Sequence, residues 1–428
     1  MKQGTLTNKT QPAQFNLKEI IAGEWVEAHF QPIVSLKRRG IVGLEGLIRG
    51  IFPKSRTLIP PVDLFHQAMT EGLELDLDRL CRKRVMDDFR LLHANSPELI
   101  LSLNLDVSVL GQGVVGSGHL RSQVFEMGLK PENIAIEIIE SHVEDLKLLQ
   151  RFVQLYRSYG FLIALDDVGA GHSNLNRIPL IKPDILKIDR FLIQDIQDDF
   201  YKKEVLKSLV QMARHLGTLI IAEGVETEEE AVCLLDMDID MIQGFYFSKP
   251  QRHDLMEVGP VMDKVNGLGG AFKQNLLKKI GVKRFNMNRY YSTIMEIQIE
   301  LSQMKPAYFD SILKRMIAEF PQVESVYILN EAGTQVSESV FNDDGRNKRN
   351  PILFRPSPKG SDHTMKDYFY FLMEAGINKT TYVTEPYLSM TSGSSCVTLS
   401  SVFQNSDLKR YILCLDINTE VLGAEPEV

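Results

Sequence analysis

Cysteine is scarce in this chain: Cys81, Cys233, Cys396 and Cys414 are the four among 428 residues. They lie far apart and no CxxC occurs, which argues against a structural zinc site and against a disulfide framework. Reduced thiols in a cytoplasmic protein are the expectation. Long apolar runs are missing too. The first fifteen residues are polar, with no apolar signal region. The most apolar long stretch, 99–115, carries Asn104 and Asp106 and is too short and too polar to span a bilayer. Neither sign of charge is in large excess, the formal net being −8. That speaks against general nucleic-acid binding and leaves a phosphorylated small molecule open as a partner.

What is present is length and alternation. A chain of this size predicts two or three domains. From about residue 25 to 250, short β-branched runs alternate with stretches at helical spacing. Strands are predicted at 28–36, 41–49, 99–105, 134–139, 162–166, 185–188, 219–222 and 241–247, and helices at 77–94, 143–159, 201–217 and 227–237. Eight strands over this length fit an α/β class (β/α)8 barrel. Only Lys37-Arg38-Arg39-Gly40 join the first two strands. So short a loop makes a hairpin, so the expectation is a modified TIM-like barrel with one antiparallel strand.

Beyond Pro250 the pattern changes. Asn266-Gly267-Leu268-Gly269-Gly270 predicts a flexible break. Residues 272–304 then read as one or two helices bearing Lys273, Lys278, Lys279, Lys283 and Arg284, a run best explained as the solvated face of a connecting helix. From 307 the text becomes α+β. Strands are expected at 325–333, 396–403 and 410–416, the last two as a closing antiparallel pair. The resulting division is a barrel at 1–255, a helical linker at 256–304 and a C-terminal α+β domain at 305–428.

The chemistry concentrates at strand ends. Leu162-Ile163-Ala164-Leu165 is an apolar strand that closes on Asp166 and Asp167 before Gly169 and Gly171. Glu45, Leu47 and Arg49 alternate and so share a face. Asn104, Glu137 with Glu140, Lys187 with Asp189, Glu223 with Glu226, and Gln243 fall at or just past the other strands. Barrel enzymes build their sites at this end. Each residue alone has an ordinary structural explanation, but together so many carboxylates would repel one another and raise their pKa values. A cation removes the difficulty, and an all-oxygen set without His or Cys selects a hard ion such as Mg2+, Mn2+ or Ca2+. Two such ions suit phosphodiester hydrolysis. Lys187 could orient water or neutralise phosphate, and Glu223 could take a proton or hold metal.

These residues resemble a known family. Glu45-Gly46-Leu47-Ile48-Arg49 is similar to the signature of EAL domains, barrel phosphodiesterases that open cyclic di-GMP to linear pGpG. Gln31-Pro32-Ile33, Asn104-Leu105, Glu137-Ile138-Ile139-Glu140-Ser141, Leu165-Asp166-Asp167, Lys187-Ile188-Asp189, Ala222-Glu223-Gly224-Val225-Glu226 and Gln243-Gly244-Phe245-Tyr246-Phe247-Ser248-Lys249-Pro250 follow in the family's order. The resemblance covers about 15–253. It implies that Glu45, Asn104, Glu137 and Asp166 hold a first metal, with Asp167 and Glu223 assisting a second. Lys187 then positions water, with Glu45, Lys187 and Glu223 as the catalytic set. Gln31, Leu47, Arg49, Asn104, Asp189, Glu226, Gln243 and Pro250 are the implied nucleotide contacts, and Glu140 braces the loop after Asp167. Mg2+ or Mn2+ is the implied cofactor, Ca2+ binding without supporting turnover. The implied partners are cyclic di-GMP and a second copy of the chain.

The sequence also departs from the family. Gly46 replaces Ala, a change expected to be harmless, and Asp106 replaces Ser. In the loop after Asp167, Val168, Ala170, His172 and Asn174 replace Phe, Thr, Tyr and Ser. His172 is read as a loop residue standing in for Tyr rather than a ligand or base. A small misplacement in a catalytic constellation costs about 100-fold in rate, so two functions remain open: a metal-dependent phosphodiesterase, or a cyclic di-GMP receptor with little turnover. Action on another phosphodiester would make the Arg49 and Gln243 matches coincidental. The C-terminal segments Tyr382-Val383-Thr384-Glu385-Pro386-Tyr387 and Cys396-Val397-Thr398-Leu399-Ser400 resemble the PAS-like domain of YkuI-type EAL proteins, a sensing or dimerising module whose ligand the residues do not identify.

Overall fold

The computed structural model describes residues 15–105, 118–138, 145–170, 174–342, 356–374, 380–389 and 392–419. Asp106, Glu140, Gly171 and His172 lie outside them. The chain divides into two compact units, Met1–Leu276 and Leu277–Val428. Among the described residues no helix is long and apolar enough to cross a membrane.

The first unit is a closed barrel. Its strands are β1 (Val26–Ser35), β2 (Gly40–Ile51), β4 (Ile100–Leu105), β5 (Ile134–Ile138), β6 (Leu162–Val168), β7 (Ile185–Ile188), β8 (Leu219–Ala222) and β9 (Met241–Ile242), with a short extra strand β3 (Leu58–Ile59) on the edge of β2. From β2 through β9 the wall pairs in parallel, while β1 is antiparallel to both neighbours and closes the ring at Val34↔Ile242. The four-residue loop accounts for this, since it can only reverse the chain. The helices Glu74–His93, Leu146–Ser158 and Phe200–Leu216 cover the outside, their apolar faces burying Leu77, Val85, Phe89, Phe152, Tyr156, Leu206 and Val210 against the wall.

Strand alternation sorts the interior into layers. Ile33, Ala135, Ala164, Ile185 and Ile221 meet as an apolar floor. Two residues nearer the mouth on each strand, which is later in the chain for the parallel strands and earlier for β1, the same inward face carries Gln31, Glu137, Asp166, Lys187 and Glu223. The fold thus turns a two-residue period into a single polar layer above an oily plug.

Two local expectations are corrected. The eighth strand stops at Ile242 rather than running to 247. A Cβ on Gly244 would fall 2.0 Å from the Val225 carbonyl oxygen. The Val225 N–H donates to the Gln243 carbonyl at 3.1 Å and the Val225 carbonyl accepts the Tyr246 N–H at 2.9 Å, so the chain curls around Val225 instead of extending. The glycines at 267, 269 and 270 do not break the chain: they lie inside one continuous helix, Val258–Ser302. Val261, Val265 and Leu268 are buried in the first core, which offsets the roughly 1 kcal/mol that each helical glycine costs.

The second unit is α+β, as the sequence predicts. Strands β10 (Val323–Asn330), β14 (Ser395–Gln404) and β15 (Arg410–Asn418) form the centre of an antiparallel sheet, flanked by β11 (Val340–Phe341), β12 (Thr381–Val383) and β13 (Tyr387–Leu388). Tyr290, Ile294, Ile297 and Leu301 from the long helix and Phe309, Leu313 and Met316 from the next pack on one sheet face.

Candidate active site

The polar layer centres on Lys187, whose side chain is 1% exposed at the end of β7. Its Nζ lies 2.6 Å from Glu137 Oε1, 2.6 Å from Glu223 Oε1, 3.5 Å from Asp166 Oδ1 and 3.7 Å from Glu45 Oε2. Four carboxylates from β2, β5, β6 and the end of β8 thus share one ammonium. A buried charge persists only when it is paired, and here the pairing leaves the acids in excess. Burial, joined by Glu45, Asp166 and Glu223, pushes the Glu137 carboxyl well above its usual range even against Lys187. Glu223 keeps 20% of its side chain exposed, yet burial among these neighbours pushes it up to about 8. Burial works against the charge of Lys187, but Asp166, Glu137, Glu223 and Glu45 outweigh it and hold the ammonium protonated.

Amides tie the layer to the neighbouring strands. Gln31 on β1 stands directly opposite Glu45 on β2. Gln243 Nε2 donates to Glu45 Oε2 at 2.5 Å and to Gln31 Oε1 at 3.0 Å, and Gln31 Nε2 donates to the Ser248 carbonyl at 3.0 Å. Asn104, paired in register with Glu137, donates to Glu45 Oε1 at 3.3 Å. Asp166 and Asp167 sit at a register shift between β6 and β7, and Asp167 has a left-handed φ of 57°. This bulge is what lets two consecutive acids meet the same end of the barrel. Asp166 accepts the Asp167 N–H at 2.9 Å. Burial and then Asp166 push the Asp167 carboxyl up.

The remaining expected residues lie outside the layer. Leu47 and half-buried Arg49 continue the inward face of β2, with Arg49 Nη1 on the Ile48 carbonyl. Asp189 caps a short helical turn by accepting the Phe191 N–H at 2.9 Å. Glu226 is exposed and pairs with Arg190 at 2.9 Å. Pro250 precedes Gln251, whose backbone bridges Phe30. Sequence reasoning missed three polar residues on inward faces: Ser102, which is buried and donates to Glu137 Oε1, and Glu27 and His29 on β1. Ser102 is two residues before Asn104, and the same alternation that grouped Glu45 with Arg49 identifies it.

The set fits a hard divalent cation. Its donors are oxygens, the acids exceed the one ammonium, and Glu137 Oε2 is buried with no hydrogen-bond partner among the described residues. Among the described residues no three His, Cys, Asp or Glu side chains stand at metal-binding spacing, and Lys187 occupies the space between the carboxylates.

The chain is similar to known proteins. The family model described as the EAL domain matches residues 15–250. The cyclic di-GMP phosphodiesterase NbdA of Pseudomonas aeruginosa is 29% identical over 253 residues, 57% of this chain and 32% of that protein. YkuI of Bacillus subtilis, an uncharacterized EAL-domain containing protein, is 24% identical over 347 residues, 80% of this chain and 82% of its own. The YkuI crystal structure, in complex with cyclic di-GMP and calcium, superposes with a TM-score of 0.77 at 22% identity, covering 95% of this chain and 99% of that one. The chain therefore shares the YkuI fold in both units, but it spans less than a third of NbdA and 29% of the B. subtilis signaling protein YkoW.

Proposed function

Because the chain belongs to the EAL domain family, we propose that its barrel binds cyclic di-GMP and opens it to linear pGpG with divalent metal. The observation that carries this reading is the ring of Glu45, Glu137, Asp166 and Glu223 around Lys187 at the barrel mouth. NbdA, named for this activity, and the cyclic di-GMP complex of YkuI support it. Glu45, Asn104, Glu137 and Asp166 would hold one ion, with Asp167 and Glu223 assisting a second. Such ions, when bound, polarise a phosphoryl oxygen and lower the pKa of water. Mg2+ or Mn2+ is the supporting ion in this reading, and Ca2+ binds without turnover.

Lys187 orients the attacking water and offsets phosphate charge. Glu223 is placed to accept a proton. Gln31, Leu47, Arg49, Asn104, Asp189, Glu226, Gln243 and Pro250 face the nucleotide, and Glu140 braces the loop after Asp167. We further read the chain as a cytoplasmic homodimer with functional divisions at 1–255, 256–304 and 305–428. In that scheme the helical segment relays the binding state and the C-terminal unit is a PAS-like module.

A second reading, a receptor with little turnover, draws on the altered loop. Val168 is buried in the barrel core and paired with Ile188, where the family has Phe, and Ala170 lacks the hydroxyl of Thr. One experiment separates the two. The protein is incubated with cyclic di-GMP and Mg2+ or Mn2+ at enzyme in excess, followed by chromatography. Linear pGpG establishes the phosphodiesterase. Intact nucleotide that co-elutes with protein establishes the receptor.

A further inference from the structure

Alternation along β1 brings a second pair of polar side chains to the barrel mouth. Ile33 belongs to the apolar floor, so Gln31, His29 and Glu27 follow it on the same inward face at two-residue steps. The register sets Gln31 opposite Glu45, His29 opposite Leu47 and Glu27 opposite Arg49. Directly opposed residues share a face, with Cβ atoms about 5 Å apart. The two nucleotide contacts proposed on β2 therefore have His29 and Glu27 as immediate neighbours.

His29 is held in place. Its Nε2 lies 2.7 Å from Glu27 Oε1, and the two side chains are only 15% and 22% exposed. An ionised carboxylate can only accept, so a neutral His29 carries its proton on Nε2 and presents Nδ1 as an acceptor. Nδ1 has no hydrogen-bond partner among the described residues. Guanine offers donors, N1–H and the exocyclic amine, along its Watson–Crick edge, whereas adenine places an acceptor at N1. An acceptor fixed opposite the N1 position favours guanine, whose N1–H it accepts; against adenine it meets the N1 lone pair, since adenine's one donor on that edge, the N6 amine, stands where guanine has O6, and such a mismatch discriminates strongly.

We infer that His29, oriented by Glu27, is a specificity residue that reads the donor edge of a guanine in the bound cyclic dinucleotide. The inference rests on the reading of the barrel mouth as a cyclic di-GMP site. Glu27 is a positioning residue: it acts through the His29 ring and stands across from the Arg49 guanidinium.

The test is calorimetric titration with cyclic di-GMP and with cyclic di-AMP, in Ca2+, of the full chain and of His29→Ala, His29→Gln, Glu27→Gln and the double variant Glu27→Gln/His29→Ala. Loss of one hydrogen bond of this kind weakens cyclic di-GMP binding about tenfold. His29→Ala should show that loss and a narrowed preference over cyclic di-AMP. His29→Gln, which keeps an acceptor, should recover part of both. Glu27→Gln should weaken binding less, and the double variant should match His29→Ala, since Glu27 acts through His29. A merely structural role would not move the ratio of the two affinities. An unchanged ratio in His29→Ala and His29→Gln, with the unaltered chain binding cyclic di-GMP, overturns the inference and leaves the site standing. No binding by the unaltered chain overturns both.

Discussion

Restoring the family's Ala at position 46 should weaken this protein. Gly46 lies on β2 with its α-hydrogens towards the helix Glu74–His93, not towards the barrel interior. A Cβ built there would come 2.2 Å from Val85 Cγ1, 3.3 Å from Val85 Cγ2 and 3.4 Å from Leu101 Cδ1. Carbon atoms in contact prefer about 3.5–4.0 Å, so the first of these is short by more than an ångström. Val85 is 2% exposed, and a valine in a helix has essentially one rotamer, so it cannot swing aside. The helix or the strand must move, at a cost of about 1–3 kcal/mol for overpacking. Replacing glycine within a strand returns about 0.5–1 kcal/mol.

The net expectation for Gly46→Ala is a loss centred near about 1 kcal/mol, or roughly 2–4 °C in Tm for a domain of this size. In this chain Val85 fills the space that an alanine methyl at position 46 would take. Val85→Ala alone should also destabilise by leaving a cavity. Combined, the two changes should cost at least about 1 kcal/mol less than their sum, a coupling measurable by a thermal-unfolding double-mutant cycle. A Gly46→Ala variant as stable as the parent, or strictly additive effects, would refute the packing argument.

Acidity should act on the metal-free protein in an unusual direction. Glu223, raised from the ordinary glutamate value to about 8, keeps a proton in the fold that the unfolded chain releases. Between about pH 4.5 and 8 the native state therefore binds more protons, and stability must fall as pH rises. Glu137 acts in the same sense. Divalent cation, which binds the ionised acids, should raise Tm more at about pH 8 than at about pH 5.5. A metal-free Tm that climbs across this window would show that the acids are not protonated. In the loop, the triple change Val168→Phe, Ala170→Thr and His172→Tyr should raise the yield of pGpG per enzyme if poor support of Asp167 limits turnover. An unchanged yield places the limit elsewhere.

Much of the site was legible because seven of the eight barrel strands run the same way. For those, the end of an apolar run is the mouth of the barrel, and Asn104, Glu137, Asp166, Lys187 and Glu223 could be read from position alone. The rule inverts for β1. That strand is antiparallel, so its beginning lies at the mouth, and Glu27 and His29 stand at the start of an apolar run rather than at its end. The glycines at 267, 269 and 270 misled for a different reason. Local propensity favours a break there, but Val261, Val265 and Leu268 bury one side of the helix, and tertiary packing wins. The strand end at Ile242 is illegible because the group the chain curls around, the Val225 backbone bonded to Gln243 and Tyr246, is remote in sequence.

The barrel also has a seam. Around most of the wall, neighbouring strands share several paired residues, but among the described residues β9 pairs with β1 at the single position Val34↔Ile242, helped by the bridge in which Phe30 and Gln251 exchange hydrogen bonds of 2.6 and 3.0 Å. The rest of the clasp is made by side chains: Gln243 to Gln31 and Glu45, and Gln31 to the Ser248 carbonyl. The amides proposed to meet the nucleotide are thus the same ones that fasten the ring. Ligand occupancy and closure of the cylinder draw on shared atoms, so a bound nucleotide should register at the seam as slower hydrogen exchange at the amides of Phe30 and Gln251.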